Sequence, residues 1–218
     1  MRRSFLFAFA VVLAPAVLSA QAQQSPEAVA KALQARYQKI ADFSADFVQT
    51  YRGGVLKTQT QERGTVVVKK PGRMRWLYTT PERKELVSDG QKIYWYVPED
   101  KQVIVNDVPP QDQATTPVLF LSGKGEIARD FTASYGTGGP AGTVALKLVP
   151  RKTEPEYEYL VVAVDPASLQ IRALTTRDRQ GGESTLTFTN MKENRNPSDK
   201  DFVFRIPRGV NVVTDGTR

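Results

Sequence analysis

The side chains able to do chemistry in this sequence are lysines, tyrosines, hydroxyls and carboxylates, because it has neither histidine nor cysteine. Without imidazole there is no Ser-His-Asp or Cys-His catalysis. Without a thiolate there is no nucleophilic cysteine, disulfide or thiol redox couple. Zinc, blue copper, haem and iron–sulfur centres lose their usual ligands too. The carboxylates Glu62, Asp89, Glu99, Asp100, Asp165, Asp178 and Glu183 are scattered, and no spacing among them marks an acid/base pair. No Asp-rich calcium loop or phosphate-cradling glycine motif occurs. Neither a metal nor a cofactor is expected, and the balance tilts from enzyme toward binding protein.

The densest cluster of functional groups is Lys69, Lys70, Arg73 and Arg75, interleaved with Met74, Trp76 and Tyr78. On a strand, alternation sends the two guanidiniums to one face and the three large apolar groups to the other. That separation argues against a nucleic-acid surface, where bases stack on aromatics beside the basic groove. A solvated basic edge, or attraction to an acidic partner or to anionic headgroups, fits better.

The elements that would position these residues are mostly strands. Ser25, Pro26 and Glu27 open a helix expected over 26–41, with Ser25 as N-cap and Val29, Leu33, Tyr37 and Ile40 as its apolar stripe. From Asp42 the period falls to two, with Phe43, Ala45 and Phe47 on one face. Strands are expected near 55–60 and 66–70, the first running on toward Gly64, then at 73–78. A hairpin should turn at Asp89-Gly90 between strands 85–88 and 92–97. Further strands are expected at 102–105, 131–135, 144–149, 159–164, 171–177 and 184–189, and short ones at 202–204 and 210–212 close the chain. Asp199-Lys200-Asp201 reads as a polar loop. The segment 107–130 breaks the alternation and suits a short helix or two over a sheet opening, or a connecting loop with one apolar anchor. The fold class is mainly β (α+β). It is an incomplete, meandering antiparallel barrel whose N-terminal helix and short central helical segment cover the concave face.

Arg2 and Arg3, the apolar run 5–18 and the small residues of Ala20-Gln21-Ala22 read as a Sec signal. Cleavage is expected after Ala22, with Ala20 as runner-up, leaving 23–218 as a single domain. The apolar run is short for a membrane span, and no other run approaches that length. No cysteine near the cleavage point offers a lipid attachment site. The 218 residues, 40% hydrophobic and 24% charged, suit one soluble globular domain without disulfide staples.

Several motifs together resemble the LolA family of periplasmic lipoprotein carriers. Phe43-x-x-x-Phe47-x-Gln49 follows the helix, and Gly64-x-Val66-x-Val68-Lys69-Lys70-Pro71-Gly72-x-Met74-x-Trp76 is the most specific element. Pro81, Leu86-Val87-Ser88-Asp89-Gly90, Tyr94-x-Tyr96, Thr116-Pro117-x-x-x-Leu121 and Phe202-x-Phe204-x-x-Pro207-x-Gly209-Val210 follow in order. The match is clear over 25–122, loose over 130–190, and recovers at the end. The resemblance implies a non-enzymatic monomer that shelters lipoprotein acyl chains in the half-barrel. It would receive them from an inner-membrane LolCDE-type ABC transporter and pass them to a LolB-like outer-membrane receptor. The cavity would be lined by Leu33, Tyr37, Phe47, Val66, Val68, Met74, Trp76, Tyr78, Leu86, Ile93, Trp95, Leu119 and Phe120. Lys70 stands where relatives often carry an arginine that latches the lid, and lysine lacks that planar fork. Met74 replaces an aromatic. Two other classes stay open: an exported lipid-binding or lipoprotein-sensing domain, and an envelope hydrolase using facing carboxylates.

Overall fold

The computed structural model describes residues 24–53, 58–108, 121 and 126–214. The expected signal segment 1–22, the turn residue Gly54, and Leu119 and Phe120 lie outside them.

Helix α1 (Pro26–Gln38) begins as its sequence dictates. The Ser25 hydroxyl accepts from the Ala28 amide, Pro26 takes the first turn, and Glu27 sits at the positive end of the dipole. It ends three residues before the expected boundary, where the Lys39 amide bonds back to the Arg36 carbonyl and the Ile40 amide to the Tyr37 carbonyl. Val29, Ala30, Leu33, Tyr37 and, just past its end, Ile40 are buried.

Among the described residues twelve strands follow: β1 (Asp42–Arg52), β2 (Gln59–Lys69), β3 (Arg73–Thr80), β4 (Lys84–Asp89), β5 (Lys92–Val97), β6 (Gln102–Asp107), β7 (Phe131–Tyr135), β8 (Val144–Pro150), β9 (Tyr159–Val164), β10 (Ile171–Arg177), β11 (Glu183–Glu193) and β12 (Asn211–Thr214). They form one sheet in the order β12-β6-β5-β4-β3-β2-β1-β11-β10-β9-β8-β7. The two end strands do not pair with each other, so the barrel is incomplete. The pairing of β1 with β11 joins the N-terminal and C-terminal meanders.

Three local expectations need correction. Residues 55–57 of the strand expected at 55–60 lie outside the described residues; from Gln59 onward that strand and the one expected at 66–70 are one strand, β2, that runs straight through Gly64. Gly64 is a clearance site: a Cβ there would lie 2.0 Å from the Leu77 carbonyl oxygen and 2.9 Å from the Phe47 ring. A glycine in a strand interior marks such a close approach as readily as it marks a turn. Second, β12 pairs with β6 in parallel, so the sheet is not antiparallel throughout.

Third, residues 199–204 are not a polar loop leading into a strand. Asp199–Phe202 is a 3₁₀ helix with a capping box: the Ser198 hydroxyl takes a backbone amide while Asp201 reaches back to the Ser198 amide. This segment is a strap on the convex face. Phe202 is buried there at 1% exposure, as are Val87 and Val103 on the same sheet face. Phe204 stacks on Tyr94, ring centroids 5.3 Å apart.

The strap also changes the reading of the basic cluster. Lys69 and Arg73 each lie 2.7 Å from Asp199, and Arg75 bonds to Glu85 at 2.5 Å and to the Asp201 carbonyl at 2.7 Å. These three cations are engaged within the fold and do not form a free basic edge. The hydrogen bonds from Lys69 and then Arg73 hold the Asp199 carboxyl below its ordinary range.

Candidate functional site: the concave aromatic face and its helix

Strand register assembles the concave face from three cross-strand rows. One is Phe43, Val68, Met74, Ser88 and Ile93; the next is Ala45, Val66, Trp76, Leu86 and Trp95; the third is Phe47, Gly64 and Tyr78. Gly64 opposes Phe47 on one side and Tyr78 on the other, and the missing side chain lets those two rings meet edge to face at 5.0 Å. Phe47 also meets Trp76 at 5.0 Å and sits opposite Phe188 on β11. Tyr78 continues the chain to Trp95 at 5.7 Å. Edge-to-face rings at such separations attract beyond their burial.

Of the expected lining residues, Leu33, Tyr37, Phe47, Val66, Val68, Met74, Trp76 and Tyr78 fall in one buried cluster, with Leu86 and Trp95 packed against it. Ile93 is half-buried on the same face as Trp95 but outside that cluster. The β8–β11 half contributes Leu146, Leu148, Leu160, Val162, Leu174 and Phe188. Their alternation was readable as strand, but nothing in it told which face joined the aromatic half.

Helix α1 closes over this face. Among the described residues, a cavity lined by Tyr37, Ile40, Phe43, Leu121, Ile171 and Met191 beside it measures about 10 Å³, room for about one water. That space is too small for an acyl chain.

Polar contacts add to the apolar burial of Val29, Ala30, Leu33 and Tyr37 in holding α1. Lys70 Nζ donates to the Tyr37 carbonyl and lies 3.4 Å from the centre of the Tyr37 ring. The Tyr37 hydroxyl donates at 2.5 Å to the carbonyl of Leu121, which is helical and buried. Lys70 thus reaches the central segment through Tyr37. Arg36 pairs with Glu193 at 2.8 Å, and Gln34 accepts the Ile127 amide at 3.0 Å from the short helix Ile127–Asp130. Burial lowers the Lys70 pKa to about 8, with Glu193 pulling it partly back up. Burial, then Glu193, pushes the Tyr37 phenol above its ordinary value.

The scattered carboxylates stay apart. Glu62 pairs with Lys84, Glu183 with Arg177 at 3.1 Å, and Asp165 and Asp178 cap backbone turns. Among the described residues no three acidic groups gather as a metal site would require. One buried side-chain polar atom among them has no hydrogen-bond partner, the Trp76 indole nitrogen. Leaving a buried donor unpaired costs about 1–3 kcal/mol.

Residues 38–205 match the family described as outer membrane lipoprotein carrier protein LolA. The chain belongs to the LolA family. It is 30% identical over 213 residues to the outer-membrane lipoprotein carrier protein of Neisseria gonorrhoeae, covering 96% of this chain and 97% of that one. It is 29% identical to the carrier of Hahella chejuensis, covering 94% and 97%. An uncharacterised conserved protein from Thermus thermophilus shares the fold at a TM-score of 0.51 and 16% identity, over 85% of this chain and 98% of that one. LolA proteins are carriers, not enzymes, which agrees with the absence of histidine and cysteine.

Proposed function

We propose that this protein is a periplasmic carrier that takes lipoprotein acyl chains onto its concave aromatic face. It would act as a monomer of residues 23–218 after loss of 1–22, accepting cargo from a LolCDE-type ABC transporter and yielding it to a LolB-like receptor. The observation that carries this reading is the pairing of a largely apolar sheet face with a helix that packs on it and adds exchangeable polar contacts to its apolar ones. Apolar contacts alone would make α1 a fixed part of the core. Hydrogen bonds to Lys70, Leu121 and Ile127, and the ion pair to Glu193, can instead be exchanged for water when α1 lifts.

Each buried methylene recovers ~0.8 kcal/mol, so one chain of ~16 carbons is worth on the order of 10 kcal/mol. Release into water is then far too slow to be useful, and cargo must pass directly to an acceptor. A helix that returns when cargo leaves hides apolar surface that would otherwise drive aggregation. The lining is proposed to comprise the ten residues named above with Ile93, Leu119 and Phe120, and Lys70 is proposed as the latch.

The test is release of newly made lipoprotein from spheroplasts. Adding the purified protein should move the acylated lipoprotein into the soluble fraction, and a variant lipoprotein lacking its acylated cysteine should gain nothing. Failure to release acylated lipoprotein would overturn the reading, whereas retention of a free lipid would favour a lipid-binding or lipoprotein-sensing role.

A further inference from the structure

The unpartnered donor on the concave face suggests what part of the cargo binds where. Trp76 is 1% exposed, and its indole N–H meets no acceptor. Its cross-strand neighbours are Val66 on β2 and Leu86 on β4, neither of whose side chains can accept. The nearest rings are Phe47 at 5.0 Å and Phe188 at 6.3 Å. A ring face is at best a second-order acceptor. The other buried polar groups of these rows are already served, since the Ser88 hydroxyl donates to the Gly72 carbonyl at 2.7 Å and the Tyr78 hydroxyl to the Gln49 side-chain oxygen at 3.0 Å.

If the face served only to bury hydrocarbon, a phenylalanine at position 76 would fill it without a stranded donor. Water does not answer the need, because a buried water requires two to four polar partners and Trp76 offers one among apolar neighbours. A ligand that brings a single acceptor on an apolar body does. Acyl chains carry one at their head, the ester carbonyl; alkyl chains carry none.

Resting on the carrier reading above, we propose that Trp76 donates its indole N–H to an ester carbonyl of the bound acyl group. It thereby fixes how deep the chain sits and favours acyl over alkyl ligands. In this account the bond is made only when cargo is present, so its energy is realised on loading. The rings of Phe47 and Phe188 orient the indole, and the chain beyond the carbonyl runs along the apolar face.

The experiment compares a dipalmitoyl-glyceryl-cysteine lipopeptide with its dialkyl-ether twin, in which methylenes replace both ester carbonyls. Each is titrated into the wild-type protein, the Trp76→Phe variant, and protein carrying benzothienylalanine at position 76, where sulfur replaces the N–H without changing shape. Wild type should bind the ester about tenfold more tightly than the ether, as one buried hydrogen bond allows. Both substituted proteins should bind the two ligands alike, with ether affinity kept by the benzothienyl form. The proton resonance of the Trp76 indole should move downfield with the ester and not with the ether. An ester preference unchanged by benzothienylalanine overturns the assignment. So does equal binding of the twins by wild type, which leaves the carrier reading standing. Binding of neither twin overturns the carrier reading itself and the assignment with it.

Discussion

Lys70 holds Tyr37 twice, donating a hydrogen bond to its backbone carbonyl and placing its ammonium 3.4 Å from the centre of its ring. Tyr37 in turn donates to Leu121. One cation therefore ties the sheet to the end of α1 and, through the phenol, to the central segment. An arginine could have reached further with its fork; here tyrosine supplies the second hydrogen bond that lysine cannot direct.

Removing that cation should loosen the helix without unfolding the sheet. Lys70→Met is expected to lower protection of α1 amides in hydrogen exchange by about 1.5–3 kcal/mol, as for a hydrogen bond to a charged group. Amides of β9 and β10 should be unaffected. Equal loss in both regions would show that Lys70 supports the fold and is not a latch.

The same residue predicts a pH dependence. Its pKa is about 8 in the folded protein against an ordinary value of 10.5. Between those two values the unfolded chain holds more protons at this site, so stability rises with pH through the window and is flat below it. Thermal midpoints of wild type relative to Lys70→Met should increase from pH 7.5 to 10. A difference that stays constant or falls would contradict the lowered pKa.

Gly64 is required by its neighbours. The Cβ of Gly64→Ala would press on the Leu77 carbonyl and the Phe47 ring, so overpacking should cost about 3 kcal/mol in urea unfolding. A substitution tolerated within 0.5 kcal/mol, about the scatter of ordinary surface changes, would mean that the strands part there easily.

The convex strap is held by apolar burial more than by its ion pairs. Phe202→Ala should cost about 3–5 kcal/mol. Asp199→Asn should leave the unfolding midpoint unchanged, because Asp199 is well exposed and exposed pairs contribute little. The reverse order would show that the basic cluster, not Phe202, fastens the strap.

Much of this was legible in the sequence where a local rule decides the outcome. Alternation at Met74, Trp76 and Tyr78 gave the buried face, Asp89-Gly90 gave the hairpin, and Ser25-Pro26 gave the helix start. Errors arose where a distant partner overrode the local pattern. The strands at 55–60 and 66–70 read as separate because nothing near Gly64 announces the Phe47 ring it must clear. Phe202-x-Phe204 has strand spacing, yet Ser198 and Asp201 cap a 3₁₀ turn there. The acceptor of Lys70 is a backbone carbonyl, which no residue type advertises. The idle Trp76 N–H is visible only once every neighbour is in place.

If acyl chains enter beneath α1, fixing that helix to the sheet must block loading, and the cysteine-free chain allows a direct test. Arg36→Cys and Glu193→Cys replace the ion pair between α1 and β11 and can be joined by a short bismaleimide linker with a cleavable centre. Lipoprotein release from spheroplasts is then measured with the linker intact and after cleavage. The tethered protein should release little or nothing, and cleavage should restore release to the level of the unlinked variant. Undiminished release by the tethered protein would contradict the account.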